Sequence, residues 1–348
     1  MPREQRPDGD LAVVPVGGPV DLAGSLEVFR RSGDDLLDRW DGRLWLRALA
    51  VDGRTVGTAA RPAGTVADPA LLVAAEAGAD AEAAGRVLAG AFPTAPDALA
   101  ELAAADPVVA RIAARFPGIG PVLQPDLLTA VVRAISAQQI TLRFAAVLRA
   151  RLARRYGHHH QLQVPPPPVD AGPGDPPGPP GPLDGEVWSL DPSRLAGAEV
   201  ADLRELQFSN SKAVAVIAFA GAVASGRLDL EELAASEDEA VVERLVAFPG
   251  IGRWTAEWLL ARTLRRPRVV AGDLGVRKAV GAAYLDGRMP SEAEVRAVTA
   301  HWGAAAGVAQ QLLLHWLSTE APGRGGPRRP AATGSRSATR PGRSSPPG

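Results

Sequence analysis

The sequence predicts a mainly α-helical fold that is preceded by a small α+β domain with an antiparallel sheet. Three observations lead to this prediction. Before about residue 58, short apolar runs alternate with polar residues, which is typical of strands. From residue 106 onward the apolar residues recur at helical spacing instead. The chain has 348 residues, 46% of them hydrophobic, which is enough for two or three domains with buried cores.

The first domain is predicted at residues 1–105 and combines strands with helices. Asp52-Gly53 is a hairpin signal, because this pair adopts the backbone angles of a tight turn between antiparallel strands. The elements predicted around it are, in chain order, a strand at 11–16, a helix at 22–31 and strands at 43–49 and 54–58. Residues 68–105 are rich in alanine at helical spacing, which predicts helices to the end of the domain.

The second domain is predicted as an all-α core at residues 106–320. Residues 127–156 present one wide apolar helical face. Further predicted helices follow at 200–206, 211–225, 230–235, 237–248, 255–263, 275–284, 292–302 and 306–317. Residues 158–185 are dense in proline and glycine and predict a solvated loop inserted between two helices. The basic segment 321–348 predicts a disordered tail.

Composition excludes several kinds of chemistry. The chain has no cysteine, so it cannot form disulfides, thiolate zinc sites, cysteine nucleophiles or iron–sulfur clusters. Three consecutive histidines at 158–160 lie in a polar segment without carboxylates at ligand spacing, which predicts a solvated run and no metal site. The formal net charge is −1, so a nucleic acid would have to be bound by local patches or backbone groups.

The sequence offers no candidate for a signal peptide or a membrane span. The longest charge-free apolar run, residues 213–224, is too short to cross a bilayer and predicts a buried helix. We therefore expect a cytoplasmic protein with no membrane partner.

A glycine-rich turn between two predicted helices is the most informative stretch of the chain. Its sequence is Phe248-Pro249-Gly250-Ile251-Gly252. Proline and two glycines favour a tight turn, which leaves backbone N–H groups unpaired at the start of the next helix. Together with the helix dipole, these groups can bind an anion such as a phosphate. A plain corner between two helices is the alternative interpretation.

The same five residue types also occur earlier in the chain, at 116–120, and we call this the first copy. Pro121 and Pro125 follow that copy closely, so a helix cannot begin cleanly after it. We predict that the first copy is a loop without the anion-binding role.

Asp273 is a single carboxylate at a predicted loop-to-helix junction, about twenty residues after the second copy of the turn. An aspartate in this position is often no more than the N-cap of the helix that follows. On the residues alone, capping and catalysis both stay open.

Three segments together carry a family resemblance: residues 248–256, Glu257-Trp258 and residues 272–277. They resemble the DNA-3-methyladenine glycosylase II branch of the helix-hairpin-helix (HhH-GPD) DNA glycosylase superfamily. Residues 134–141 resemble the start of an upstream helix of that family, and residues 21–47 resemble its N-terminal sheet domain more loosely. The likeness covers most of residues 11–319. It implies a helix-hairpin-helix core of two helical lobes.

The resemblance also implies an activity, namely hydrolysis of the N-glycosidic bond of alkylated purines of the 3-methyladenine and 7-methylguanine type. The expected partner is double-stranded DNA with damaged bases, and the reaction begins base excision repair. Enzymes of this kind turn the target nucleotide out of the duplex before they act on it. No cofactor is implied, although a monovalent cation at the hairpin is allowed. A monomer is expected.

Individual roles follow from the resemblance. Asp273 corresponds to the catalytic carboxylate, and Gln139 corresponds to the wedge that fills the gap left by the extruded nucleotide. Trp254 stands where relatives that also cleave the DNA backbone have a nucleophilic lysine, so no lyase activity is expected. The residues that match the phosphate-binding hairpin are Gly250, Ile251, Gly252 and Thr255.

Aromatic side chains near Asp273 would suit a cationic alkylated base, because an electron-rich ring attracts a cation. The base pocket is predicted to contain Trp254, Trp258, Leu274 and Trp302. Trp302-Gly303 departs from the aromatic- and arginine-rich pattern of the family at this point. These tryptophans could also be ordinary core residues.

Basic residues concentrate at 133–155 and 253–278, and we expect these stretches to face DNA, with a solvated helix face as the alternative. Lys278 and Lys212 are expected to contact phosphate or solvent and not to act as nucleophiles. Two other functions stay open: a glycosylase for deaminated or oxidised bases, and a DNA- or damage-binding module without catalysis in which Asp273 is only a cap.

Overall fold

The computed structural model describes residues 11–77, 79–163 and 184–320. An N-terminal antiparallel sheet with flanking helices is followed by helices that build two lobes, so the predicted fold class is confirmed. The predictions for residues 1–10, for most of the proline-rich insertion and for the tail at 321–348 fall outside these ranges.

The N-terminal sheet has five antiparallel strands in the order β1-β5-β4-β3-β2. Its elements in chain order are β1 (Ala12–Pro15), α1 (Leu22–Ser32), β2 (Asp38–Trp40), β3 (Trp45–Val51), β4 (Arg54–Gly64) and β5 (Pro69–Ala75). Asp52 and Gly53 both have positive φ, 47° and 74°, so the predicted hairpin turn between β3 and β4 is confirmed.

Strand β5 lies where the alanine-rich pattern predicted a helix, and that prediction is wrong. Leu71 and Val73 are fully buried while their neighbours are partly exposed, which is the two-residue period of a strand. Alanine does not distinguish a helical period from a strand period. Leu71 and Val73 carry the strand signal, but alanines surround them in the sequence. Helix α2 (Ala81–Ala89) follows and packs on one face of the sheet.

A second, two-stranded sheet covers part of the opposite face. It pairs β6 (Gly157–Gln161) with β7 (Glu186–Leu190) across the proline-rich insertion. Val187 of β7 packs against Leu46 and Ala59 of the large sheet. The second domain was predicted to be purely helical, and this prediction is wrong because the domain contains β6 and β7.

The three histidines form part of β6 and each has a carboxylate partner, so the predicted solvated run is wrong for the buried His160, whereas His158 and His159 are exposed. His160 is 5% exposed, and its Nδ1 lies 2.8 Å from Glu76 Oε2. His158 and His159 pair with Asp191 and Glu186 at 2.9 and 3.3 Å. These partners are remote in sequence, so local spacing could not reveal them. The described part of the chain contains no group of three or more potential ligands that could hold a metal ion.

The helices divide into two lobes with separate hydrophobic cores. The first lobe contains α5 to α12 and the second contains α3, α4 and α13 to α15. Their bounds are α3 (Pro96–Ala105), α4 (Pro107–Arg115), α5 (Leu127–Ala137), α6 (Leu142–Tyr156), α7 (Pro192–Ala196), α8 (Val200–Glu205), α9 (Asn210–Ala224), α10 (Leu230–Ala235), α11 (Asp238–Val246), α12 (Arg253–Arg262), α13 (Leu274–Tyr284), α14 (Glu292–Thr299), a 3₁₀ segment (Ala300–Ala305) and α15 (Ala306–Thr319).

Helix α3 belongs to the second lobe and not to the N-terminal domain in which it was predicted. Leu102 of α3 packs in the same core as Ile112 of α4 and Trp302 of the 3₁₀ segment. The sheet core, by contrast, extends along the chain only to Phe92 and then takes in Val122. The cores therefore divide the chain before α3, and not at residue 105.

A buried ionic network joins the N-terminal domain to the first lobe. Arg133 contacts Asp35 at 2.7 Å and Asp38 at 2.9 Å, and Arg149 contacts Asp35 at 2.8 Å. Arg47 also pairs with Asp38. Two arginines of the stretch 133–155 thus hold domains together, and the prediction that this stretch faces DNA is wrong for them.

Within the residues that the structure describes, every helix is too short or too polar to cross a membrane.

Candidate active site

The turn at residues 248–252 is held rigidly between α11 and α12. Ile251 is 4% exposed and anchors the turn in the core of the first lobe, and its N–H donates to Phe248 O at 3.2 Å. Gly250 has a φ of +73°, and a Cβ there would lie 2.9 Å from Ala215 Cβ. Both the angle and the close approach therefore require glycine.

Helix α12 begins at this turn without a side-chain cap. Gly252 is the N-cap, and the first amide that bonds within the helix is that of Ala256, which donates to Gly252 O at 3.1 Å. The amides of Arg253, Trp254 and Thr255 precede that bond. Thr255 is 1% exposed, so both its hydroxyl and its amide are covered, whereas Gly252 and Arg253 are exposed. An uncapped N-terminus of this kind can bind an anion.

The first copy of the pentapeptide provides an internal comparison. Gly118 has a φ of +80°, Ile119 is 2% exposed, and Ile119 N–H donates to Phe116 O at 3.4 Å, as in the second copy. Here, however, Gly120 N–H donates to Ser25 Oγ at 3.1 Å, and no helix begins before Leu127. The prediction that this copy is a loop is confirmed, and its amide is already used within the fold.

Asp273 is the N-cap of α13, and its Oδ1 accepts a hydrogen bond from Val276 N–H at 2.9 Å. The capping bond engages one of the two carboxylate oxygens. The preceding Gly272 packs against the indole of Trp254, since a Cβ there would lie 3.3 Å from Trp254 Cδ1. Leu274, the next residue, is 56% exposed. The structure thus brings Trp254 of the first lobe beside Asp273 of the second.

Arg262 is a neighbour of Asp273 that sequence reasoning missed. Its Nη2 donates to Gln311 Oε1 of α15 at 2.7 Å. Burial lowers the pKa of Arg262 to about 10, and the charge of Asp273 partly offsets this effect. The signal in the sequence is an arginine at the end of an otherwise apolar helix face.

The candidate pocket tryptophans have different surroundings. Trp254 is partly buried, and its Nε1 has no hydrogen-bond partner among the described residues. Trp258 is partly buried against the core of the first lobe. Trp302 is 2% exposed in the core of the second lobe, with its ring centroid 6.3 Å from that of Tyr284. The structure therefore contradicts a pocket role for Trp302, because its ring is covered by the helices around it.

The candidate wedge lies on a turn that interrupts the predicted long helix at 127–156. Gln139 is exposed and has a φ of +59° between α5 and α6. The side-chain amide of the preceding Gln138 donates to Gly250 O at 3.2 Å. The wedge candidate and the hairpin are thereby placed side by side.

Lys212 points into the protein, contrary to the expected surface or phosphate contact. Its Nζ donates to the carbonyls of Ser136 at 3.0 Å and Gln138 at 2.7 Å. Burial lowers the pKa of Lys212. Lys278, in contrast, is exposed on α13.

Much of the positive charge near the hairpin is neutralised by ion pairs. Arg253 contacts Glu239 at 2.8 Å and Glu257 at 3.2 Å. Glu257 is 1% exposed and also pairs with Arg296 of α14 at 2.9 Å. Arg268 pairs with Asp238 and Glu239. Arginines at both ends of the interval 253–268 therefore belong to a mixed-charge network and do not present free positive charge.

The elements that form the candidate site match a known protein family. Residues 132–304, about half of the chain, match the family model described as HhH-GPD superfamily base excision DNA repair protein. The chain belongs to the HhH-GPD superfamily. The match begins in α5, includes the hairpin and Asp273, and ends in the 3₁₀ segment.

Curated relatives of this HhH-GPD chain agree with the predicted branch. The sequence is 26% identical over 204 residues to DNA-3-methyladenine glycosylase of Bacillus subtilis. It is 30% identical over 152 residues to DNA-3-methyladenine glycosylase 2 of Escherichia coli. These matches cover 58% and 44% of this chain, and 61% and 46% of the relatives. The chain thus spans about half the length of the curated relatives it matches.

The HhH-GPD architecture also matches a solved structure. The structure of 3-methyladenine DNA-glycosylase from Archaeoglobus fulgidus superposes with a TM-score of 0.70 at 24% sequence identity. The match covers 88% of this chain and 98% of that one, so the likeness extends over the N-terminal sheet as well as both lobes.

Proposed function

We propose that the protein is a monofunctional DNA glycosylase that removes alkylated purines from double-stranded DNA. One observation carries the proposal: Trp254, in the first turn of α12, lies close to Gly272, the residue that precedes Asp273. The helix N-terminus that can hold a phosphate and an aromatic side chain thus belong to one turn, near the residue that carries the carboxylate. The names of the curated relatives support the choice of alkylated bases.

Each candidate residue has a defined task in this proposal. The amides after Gly252 bind a DNA phosphate, and Gln139 fills the gap in the duplex. The extruded base stacks on Trp254 and Trp258, where a positively charged alkylated purine gains from the electron-rich rings. Leu274, exposed next to Asp273, covers the base from the second lobe.

Asp273 acts on the sugar. As the glycosidic bond breaks, the electron pair of that bond leaves with the base and positive charge develops on the sugar. The carboxylate of Asp273 stabilises that charge, and water then adds to C1′ and gives up a proton. The products are the free base and an abasic site. Alkylation makes the base a good leaving group, so the protein needs to supply only part of the rate enhancement.

No strand cleavage is expected from this enzyme. Cleavage of the DNA backbone by a glycosylase requires an amine that forms a Schiff base with the sugar. The indole of Trp254 has no such nitrogen. We further propose a cytoplasmic monomer that needs no organic cofactor, and a monovalent cation at the hairpin carbonyls stays a prediction.

The test is base release from a duplex treated with a methylating agent, measured as strand breaks with and without alkali. Wild type and Asp273→Asn are compared, because asparagine keeps the capping hydrogen bond but not the charge. Asp229→Asn is the matched control: Asp229 also caps a helix, accepting from Glu232 N–H at 2.9 Å, but in α10.

Breaks that need alkali and are lost only in Asp273→Asn are the expected result. Breaks without alkali would contradict the monofunctional proposal. If wild type releases no methylated base, duplexes with hypoxanthine or 8-oxoguanine test the glycosylases for other lesions. Tight binding to an abasic-site duplex without release of any base would instead identify a damage-binding module.

A further inference from the structure

The turn that carries Gln139 is held by groups that have no part in the proposed chemistry. Gln139 has a φ of +59°, a conformation that is unfavourable for a residue with a Cβ. Such a conformation persists only where the surroundings impose it. Two side chains make the bonds that hold the turn. Lys212 of α9 donates to the backbone of the turn, and Gln138, within the turn, donates to the backbone of Gly250.

Lys212 closes the end of α5. The last carbonyls of a helix have no partners within it, and Lys212 Nζ takes the carbonyls of Ser136 and Gln138 at 3.0 and 2.7 Å. Its positive charge also suits the negative end of the α5 dipole. These bonds fix the backbone of the residue immediately before Gln139.

The position of Lys212 is unfavourable for its own helix. It lies in the first turn of α9, three residues after the cap Ser209, where the helix dipole repels a cation. Burial adds to this cost, as the lowered pKa of Lys212 indicates. A lysine at this point therefore benefits the turn at 138–141 and not the helix that carries it.

The same turn is tied to the hairpin. Gln138 Nε2 donates to Gly250 O at 3.2 Å, and Gly250 approaches Ala215 one turn further along α9. The first half of α9 thus contacts both the turn of Gln139 and the turn that precedes α12. Three segments far apart in the sequence meet at one point.

We propose that Lys212 and Gln138 are positioning residues that hold Gln139 in fixed register with the phosphate-binding hairpin. This inference rests on the proposed function. A wedge held in place before DNA binds does not have to be ordered during base extrusion, which lowers the free energy needed to reach the extruded state.

The test is a double-mutant cycle between Lys212→Met and Gln139→Ala. Methionine keeps an unbranched side chain, one heavy atom shorter than that of lysine, and removes the charge and the donors. The single-turnover rate of base release and the affinity for an abasic-site duplex are measured for all four proteins. We expect Lys212→Met to lower both about tenfold when Gln139 is present, and to change neither when residue 139 is alanine.

Two further variants keep the test decisive. Lys212→Arg retains donors for the two carbonyls, so we expect it to keep most of the rate and affinity that Lys212→Met loses. Gln138→Met removes only the bond to Gly250 and serves if Lys212→Met does not fold, with the same dependence on Gln139 expected. Thermal unfolding of each variant separates a loss of positioning from a loss of stability.

Equal losses with and without Gln139 would overturn the inference, because they would show a general structural role. No loss in either background would overturn it as well. A wild-type protein that binds the abasic duplex but releases no base would contradict the proposed function alone, since the cycle in affinity would still report the coupling. A wild-type protein that neither binds nor acts would overturn both.

Discussion

The indole of Trp254 occupies the space next to Gly272, the residue before Asp273. A Cβ on Gly272 would lie 3.3 Å from Trp254 Cδ1 and 3.1 Å from Glu292 Oε1. Trp254 belongs to α12 of the first lobe and Asp273 caps α13 of the second, so the two lobes approach each other at this point. The consequences of this approach can be tested by adding a single methyl group.

Gly272→Ala is expected to lower the rate of base release about tenfold while changing the free energy of unfolding by less than about 1 kcal/mol. The added methyl group must either displace the indole and Glu292 by a few tenths of an ångström or shift the backbone of Gly272. The second adjustment would also move the Asp273 carboxylate. Gly307→Ala is the control, because a Cβ at that position meets nothing within 4 Å. Equal activity in both variants would show that the contact is not important for the reaction.

Gly252→Asp is expected to stabilise the protein and to weaken its binding to DNA. The position has open space and an ordinary φ of −92°, so aspartate can cap α12, with a gain of about 0.5–1 kcal/mol. The same carboxylate would occupy the amides proposed for phosphate and would repel it. Duplex affinity at fixed salt and thermal unfolding are the measurements.

Gly252→Asn separates capping from charge in that experiment, since asparagine caps equally well without a negative charge. We expect its affinity to lie between wild type and Gly252→Asp. Unchanged DNA affinity in Gly252→Asp would mean that the phosphate is held elsewhere.

Asp35→Asn is expected to destabilise the protein by about 3–5 kcal/mol at neutral pH, because Arg133 and Arg149 lose a buried partner. Burial alone would raise the pKa of Asp35, but the charges of the two arginines outweigh it and the pKa is lowered.

The sign of the pH effect follows. Ionised Asp35 contributes stability above the ordinary carboxyl range, near pH 4, and the contribution is lost as pH falls through the lowered pKa. The difference in unfolding free energy between wild type and Asp35→Asn should therefore shrink in acid. A constant difference from pH 7 to pH 3 would contradict this account.

Trp302→Phe tests whether this residue is core or pocket. Since Trp302 is 2% exposed among apolar neighbours, we expect a loss of about 1–3 kcal/mol in unfolding free energy. The KM for methylated duplex, measured well below the unfolding temperature, should stay at the wild-type value. A raised KM without loss of stability would return Trp302 to the base pocket.

Features with a short-range cause could be predicted from the sequence. The hairpin depends on Pro249 and two glycines, and the cap of α13 depends on Asp273 alone, so each signal lies within a few residues. The same holds for the Asp52-Gly53 turn. The family resemblance added roles to these positions, which the residues by themselves left open.

Features that depend on distant partners could not be predicted. Arg133 meets Asp35 across 98 residues, and Lys212 meets Gln138 across 74. Both bonds turn a basic residue inward, and for Arg133 the local sequence had suggested a surface that faces DNA. The burial of Trp302 likewise results from the packing of several helices, to which local spacing is insensitive.

The pairing of β6 with β7 has a consequence for how the chain can vary. Gln161 lies opposite Glu186, and Leu162 N–H donates to Gly185 O at 2.9 Å, so the insertion leaves and re-enters the fold at adjacent points. Loop-closure entropy changes only slowly with length. Leu162 packs in a core and Asp184 pairs with Arg39, so both must stay, but we expect the chain between them to accept a change of length or an inserted module.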